Sequence, residues 1–206
     1  MPRSAGAAGS GAGLLGLGGR PLVLASASPR RAELLAALGV AFERRPVSVD
    51  ERPRPEETPH DACLRLALEK ARSAFRSGEE ALVLGADTVV VVDGTILGKP
   101  GDSRQAARML RLLSGRTHRV LTAVALVRGP DGAEFAGIED TRVVFAPLGD
   151  AQIAGLVDSG EGADKAGAYG IQGLASLFID RIEGDYFNVV GLPLGRLRRL
   201  IEEATR

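Results

Sequence analysis

Ser26-Ala-Ser-Pro-Arg-Arg31 places two hydroxyls and two guanidinium groups where an apolar run, Leu22-Val-Leu-Ala25, gives way to a helix. Ser28 is the expected N-cap, Pro29 takes the first helical position, and Gly39 stops the helix after Leu38. A helix N-terminus carries unpaired N–H donors and partial positive charge, so acidic residues suit its first turn. Arg30 and Arg31 stand there instead, each unfavourable by a few tenths to ~1 kcal/mol unless an anion docks. Hydroxyls, free N–H groups and guanidinium forks together make a phosphate cradle; the plain alternative is a solvated first turn with incidental arginines.

Three more segments could carry chemistry. In Gly85-Ala-Asp-Thr-Val-Val90, Asp87 interrupts an apolar strand, and a carboxylate there needs a cationic partner, a helix end to cap, or a divalent ion. In Gly98-Lys99-Pro100, Lys99 is a candidate phosphate contact. A P-loop is excluded there, because Gly94 and Gly98 are too close and Pro100 replaces the metal-binding hydroxyl. In Asp164-Lys-Ala-Gly-Ala-Tyr-Gly-Ile-Gln-Gly173, glycine recurs at every third position, which lets backbone approach a ligand or form a tight turn. Gln172 both donates and accepts hydrogen bonds and so suits the edge of a base.

The elements around these segments alternate between helix and strand. The helix that begins at Pro29 is followed by a polar, proline-rich stretch, Val47 to Pro59. A second helix is expected over Pro59 to Phe75, with Leu64, Leu68, Ala71 and Phe75 as its apolar face. Ala81 to Val92 reads as a strand that turns at Asp93-Gly94 and returns through Thr95-Ile96-Leu97. Ser103 to Leu113 is an amphipathic helix whose Arg104, Arg108 and Arg111 share a solvated face. Thr117 to Arg128 and Ala133 to Phe145 are strands, Asp150 is expected to cap a short helix to Val157, and Pro193 to Ala204 is the last helix. Leu174 to Ile182 and Tyr186 to Val190 are expected to form a further strand pair. Alternating helices and strands with intruding hairpins predict an α/β fold with a mixed sheet.

Composition narrows the classes. The 206 residues are 45% hydrophobic and 25% charged, enough for one folded domain with its own core. Lys+Arg and Asp+Glu both number 26, which removes the usual electrostatic case for binding a nucleic-acid polymer. The single Cys63 excludes an internal disulfide and a multi-cysteine zinc site. No apolar run approaches the ~18 residues of a membrane span, and a cytoplasmic location is expected. Lysine is scarce beside arginine, with Lys70, Lys99 and Lys165 alone, which makes those three candidates for sites that need a compact ammonium. Residues 1–20 hold 7 of the 27 glycines and no acid, and are expected to be a flexible Gly/Ala-rich tail ahead of a domain over 21–206. The G-x-G-x-x-G match at Gly11 to Gly16 is discarded, since no strand precedes it.

Taken together, Leu24-Ala-Ser-Ala-Ser-Pro-Arg-Arg31, Gly85-Ala-Asp-Thr88, Gly98-Lys-Pro100, Leu113-Ser-Gly-Arg-Thr-His118, Asp164 to Gly173 and Asn188-Val-Val-Gly-Leu-Pro193 resemble the Maf family of nucleoside triphosphate pyrophosphatases. The resemblance runs from about Leu22 to Leu200. It implies a mixed twisted sheet flanked by helices, in two lobes around a deep cleft, related to the inosine-triphosphate pyrophosphatase architecture. It implies hydrolysis between the α and β phosphates with a divalent metal such as Mg²⁺, Mn²⁺ or Co²⁺. It casts Asp87 as general base and metal ligand and Glu51 as a second metal ligand. Ser28, Arg31, Lys70 and Lys99 would bind phosphate. Arg30, Thr88 and Gln172 resemble the subgroup acting on dTTP and UTP, with modified pyrimidine triphosphates as further substrates. The expected role is house-cleaning of the nucleotide pool, with a family link to arrest of septum formation and a homodimer as a plausible assembly. Two other readings compete: a pyrophosphatase of the 7-methyl-GTP type, and a non-catalytic nucleotide-binding regulator of septation.

Overall fold

The computed structural model describes residues 10–52 and 54–206. Its helices are α1 (Ser10–Leu15), α2 (Pro29–Ala37), α3 (Pro59–Ala74), α4 (Ser103–Leu113), α5 (Asp150–Asp158), α6 (Tyr186–Val190) and α7 (Leu194–Ala204). Its strands are β1 (Leu22–Leu24), β2 (Phe42–Arg44), β3 (Leu82–Val92), β4 (Thr95–Leu97), β5 (Thr117–Arg128), β6 (Ala133–Phe145) and β7 (Ile179–Glu183). All seven strands form one sheet in the order β2-β1-β3-β5-β6-β7, with β4 also paired to β3. β1 runs parallel to β2 and β3, and the remaining pairs are antiparallel. The expected mixed α/β sheet is therefore the observed one.

β3 is the spine of the molecule. One edge pairs with β5 along almost its whole length. The other edge pairs with β1 through Leu22–Leu24 opposite Leu82–Leu84, and with β4 from Val90 onward. Between these two partners, around Asp87 and Thr88, that edge is open. Strand alternation sends Gly85, Asp87 and Val89 to the α3 face and Leu84, Ala86 and Thr88 to the opposite one.

The expected face of α3 packs on the sheet through Ala71, with Leu64, Leu68 and Phe75 at the margin of the same cluster, but the face is centred on smaller residues. Leu64, Leu68 and Phe75 are only partly buried, whereas Cys63, Ala67, Ala71 and Ala74 are buried at helical spacing. Small residues win because the helix lies against Gly85. A β-carbon there would sit 2.1 Å from the Ala67 carbonyl oxygen and 2.6 Å from the Ala71 nitrogen. Glycine below and alanines above bring α3 down onto β3, so a lysine on this helix reaches a strand side chain.

Two other expectations are corrected. The flexible tail was placed over 1–20, but Ser10–Leu15 is helical, and Leu15 and Leu17 are buried in the cluster formed with Leu197, Leu200 and Ile201. Gly11 allows the close approach, since a β-carbon there would overlap the Leu38 carbonyl oxygen at 1.7 Å. Apolar burial outweighs the high glycine content, and residues 1–9 lie outside the described part. Tyr186 to Val190, expected as a strand, is α6. The Asp185 side chain accepts from the Phe187 N–H at 2.8 Å, and Gly191, at φ 116°, closes the turn. Of Leu174 to Ile182, only Ile179 onward is strand; Leu174–Phe178 forms 3-10 turns. No helix among the described residues is long and apolar enough to cross a membrane.

Candidate active site

The open edge of β3 faces a cleft of about 1160 Å³. β1 ends at Leu24, and the chain leaves it through Ser26-Ala-Ser to enter α2, so the N-terminus of α2 opens onto the space where β1 and β3 part. Crevices beyond the carboxyl ends of parallel strands are the usual binding places in α/β sheets. Every residue singled out from the sequence lines this one cleft: Ser28, Arg30, Arg31, Glu51, Lys70, Asp87, Thr88, Lys99 and Gln172.

Asp87 forms the buried end, at 8% exposure. Lys70 on α3 donates to its Oδ1 at 2.6 Å and also contacts Glu51 Oε1 at 2.7 Å. No described residue donates to Asp87 Oδ2. Burial pushes the Asp87 carboxyl above its ordinary range, opposed by Lys70 and then Arg31, while Glu51 adds to the upward push. Glu51 moves the other way: burial is the largest single influence and disfavours its charge, but Lys70, through its hydrogen bond and its charge, together with Lys99 and Arg31, outweighs it and holds the carboxyl low. Beneath them the Cys63 thiol donates to the Asp87 carbonyl at 3.4 Å, and burial, then the Asp87 charge, push its pKa to about 12. Cys63 is thus a small core residue rather than a nucleophile.

Arg31 has a different geometry from a simple phosphate ligand. Its side chain is buried, and Nε donates to the Gly191 carbonyl at 2.8 Å. Nη1 donates to Ser26 Oγ (3.1 Å) and the Ala86 carbonyl (2.9 Å), and Nη2 to Thr88 Oγ1 (3.0 Å). Four of its five N–H donors are therefore used inside the protein, leaving one on Nη2. The Ala86 carbonyl lies on the β3 edge abandoned by β1, and Arg31 fills that ladder position while tying α2, β3 and the α6–α7 turn together. Burial of its guanidinium, unfavourable for charge, is offset first by Asp87.

The Thr88 hydroxyl is committed as well. Thr122 Oγ1 donates its single proton to the Asn188 carbonyl at 2.8 Å. The 3.0 Å Thr88–Thr122 contact must then be donated by Thr88. A ligand meeting the Thr88 hydroxyl finds an acceptor, not a donor. Asn188 anchors the chain by donating to the Val120 carbonyl at 2.8 Å.

At the other end, Arg30 Nη1 pairs with Asp164 Oδ2 at 3.1 Å, and Lys165 Nζ holds Asp164 Oδ1 at 2.7 Å. Burial disfavours the Asp164 charge, but Lys165 and Arg30 outweigh it, and the carboxyl is held below the usual range. Behind this loop, His118 Nε2 meets Tyr169 Oη at 2.7 Å, and both rings stack edge-on with Phe145. Lys99 and Gln172 are exposed on the cleft wall.

The whole folded body carries this arrangement, and so does its likeness to other proteins. The family model described as Maf-like protein matches residues 21–204. The chain belongs to the Maf family. Among curated relatives, a Moorella thermoacetica protein named dTTP/UTP pyrophosphatase is 53% identical over 180 residues, covering 87% of this chain and 93% of that protein. Proteins of the same name from Symbiobacterium thermophilum and Escherichia coli O157:H7 are 52% and 51% identical, covering 88% and 84% of this chain and 93% and 87% of theirs.

Within this Maf fold, sequence reasoning missed several working residues. The roles of Thr122 and Asn188 were not legible, because they act through β5 and α6 at large sequence separation. Asp164 stood inside a noted motif, and its acidic charge beside Lys165 was the available signal. Among the described residues no group of three or more His, Cys, Asp or Glu side chains could hold a metal by itself. Asp87 and Glu51, sharing Lys70, are a two-carboxylate set, which suits an ion held largely by water and phosphate oxygens, as Mg²⁺ usually is.

Proposed function

We propose that this protein hydrolyses dTTP and UTP, and modified pyrimidine triphosphates, to the monophosphate and pyrophosphate. The observation that carries the reading is the convergence of all nine candidate residues on one cleft, with a paired yet half-free carboxylate at its buried end. The names of the relatives support the substrate class.

In this reading water attacks the α phosphorus, the bond to the bridging oxygen breaks, and pyrophosphate leaves. Asp87 takes the proton from water through Oδ2, because Lys70 occupies Oδ1. Its burial raises its basicity toward what a general base needs. Lys70 and Lys99 neutralise the phosphates, and Ser28 with the free N–H groups of α2 binds them at the helix end. Arg31 braces the site and offers its remaining Nη2 hydrogen. Asp87 and Glu51 would hold the divalent cation, which when bound polarises phosphate oxygens and acidifies water. Arg30 and Gln172 select the base, with Thr88 contributing an acceptor.

A panel of dTTP, UTP, GTP and 7-methyl-GTP, each with Mg²⁺, Mn²⁺ and Co²⁺, tests the proposal through pyrophosphate release. Metal-dependent release from dTTP and UTP is expected. Binding without release, or a preference for the methylated purine, would overturn it.

A further inference from the structure

The loop that carries Gln172 is built on two side chains with no place in the proposed chemistry. Gly170 and Gly173 bracket Ile171 and Gln172, and the Gly173 N–H donates to the Gly170 carbonyl at 3.2 Å, closing a turn. A β-carbon on Gly170 would lie 2.9 Å from Lys165 Cε. One on Gly173 would lie 1.9 Å from Glu161 Oε2. The turn therefore sits directly against the Lys165 stem and the Glu161 carboxylate. Glu161 Oε2 also accepts the Leu174 N–H at 2.7 Å, and Lys165 Nζ donates to the Glu161 carbonyl. Lys165 continues to Asp164 at 2.7 Å, and Asp164 to Arg30 at 3.1 Å. One unbroken chain thus runs from Arg30 on α2 to the Gln172 turn, 142 residues away in sequence, and both line the cleft.

We propose that Asp164 and Glu161 are positioning residues for base selection: they set the Gln172 turn and Arg30 in fixed register, so that the pocket accepts a pyrimidine and rejects a purine. The inference rests on the reading of Arg30 and Gln172 as base-selecting groups. Neither acidic residue needs to touch the nucleotide. Asp164 holds the Arg30 fork, and Glu161 pins the turn that carries Gln172. A site that recognises polar edges discriminates only as well as its donors and acceptors are fixed.

The test compares wild type, Asp164→Asn, Glu161→Ala, Arg30→Ala and the Arg30→Ala/Asp164→Asn double variant. Each is measured for kcat/KM with UTP and GTP, for Kd with UMP and GMP by calorimetry, and for amide exchange over residues 171–174. Asp164→Asn and Glu161→Ala are expected to lower the UTP-to-GTP ratio about tenfold, with the same trend in the monophosphate Kd values, the size of coupling seen between contacting groups. Glu161→Ala is expected to speed exchange in the turn. In the Arg30→Ala background, Asp164→Asn should change the ratio no further. An unchanged ratio in Asp164→Asn, or an equal drop with and without Arg30, overturns the inference while leaving the proposed activity standing. A wild-type enzyme without pyrimidine preference overturns both, and unaltered exchange in Glu161→Ala overturns the part assigned to Glu161.

Discussion

The two ends of the cleft are built on opposite principles. At the Asp87 end the central pair is buried: Lys70 and Asp87 are 12% and 11% exposed, Glu51 meets Lys70 from the solvent side, and α3 packed on glycine and the Arg31 brace support them. At the Arg30 end the charges are partly solvated, with the Asp164 side chain 58% exposed, and they stand on a glycine-rich loop. A buried charge is costly unless its partners are in place, and burial displaces the Asp87 carboxyl upward. Exposed pairs contribute little to stability, so at the Arg30 end they orient groups rather than hold the fold together. Chemistry that needs a tuned carboxylate belongs at the first end, and recognition of a variable group at the second.

The largest effect should come from the buried end. Asp87→Asn keeps the shape but removes the base, and turnover of dTTP should fall by about 10²–10⁴-fold in a pyrophosphate-release assay. The far-UV spectrum should stay unchanged, since Lys70 keeps Glu51. Near wild-type turnover would break the contrast between the two ends.

Stability sharpens it next. Gly85→Ala drives a β-carbon into the α3 backbone, where no side chain can swing aside. A loss of about 3 kcal/mol is expected in urea unfolding. Arg31→Met strips hydrogen bonds from the Ala86 and Gly191 carbonyls and should cost a similar ~3 kcal/mol, with loss of activity. In contrast, Asp164→Asn should change stability by no more than ~0.5 kcal/mol, because its pairs are solvated.

A pH series probes the core packed behind the glycine-rich loop of the Arg30 end. Burial pushes the His118 pKa down from 6.5 to about 4. The folded protein then binds fewer protons here than the unfolded chain, so stability rises with pH across that window and is lost as pH falls from 6.5 toward 4. Thermal midpoints taken across that range should show this slope, and His118→Gln should flatten it. An equally steep slope in the variant would remove His118 as its cause.

Much of this was legible in the residues. The start of α2 at Pro29, the Asp93-Gly94 hairpin and the long antiparallel strands follow from proline at the first helical position, turn chemistry and alternation, all local effects, although the Ser28 side chain makes no capping hydrogen bond. Asp87 stood out because a carboxylate in an apolar strand requires a partner. The misses were also physical. Tyr186 to Val190 has strand-like composition, but five residues capped by Asp185 and closed by Gly191 form a turn of helix instead. The apolar face of α3 holds at Ala71, but its centre lies on Cys63, Ala67 and Ala74 rather than on the leucines, because glycine on the facing strand demands the smallest side chains. Leu15 and Leu17 were read as tail because their neighbours are glycine, while α7 supplies the apolar partner.

The sequence by itself determined where helices begin, where strands turn and which side chains have chemistry to offer, since those depend on neighbours within a few residues. Only the tertiary structure decided that β1 stops short of Asp87. That decision opens the edge of β3 and turns Arg31 into a brace for the Ala86 carbonyl, while the close packing of α3 on Gly85 sets Lys70 2.6 Å from the carboxylate it serves. Which strand edge is left unpaired depends on the packing of distant segments, and no local pattern records it.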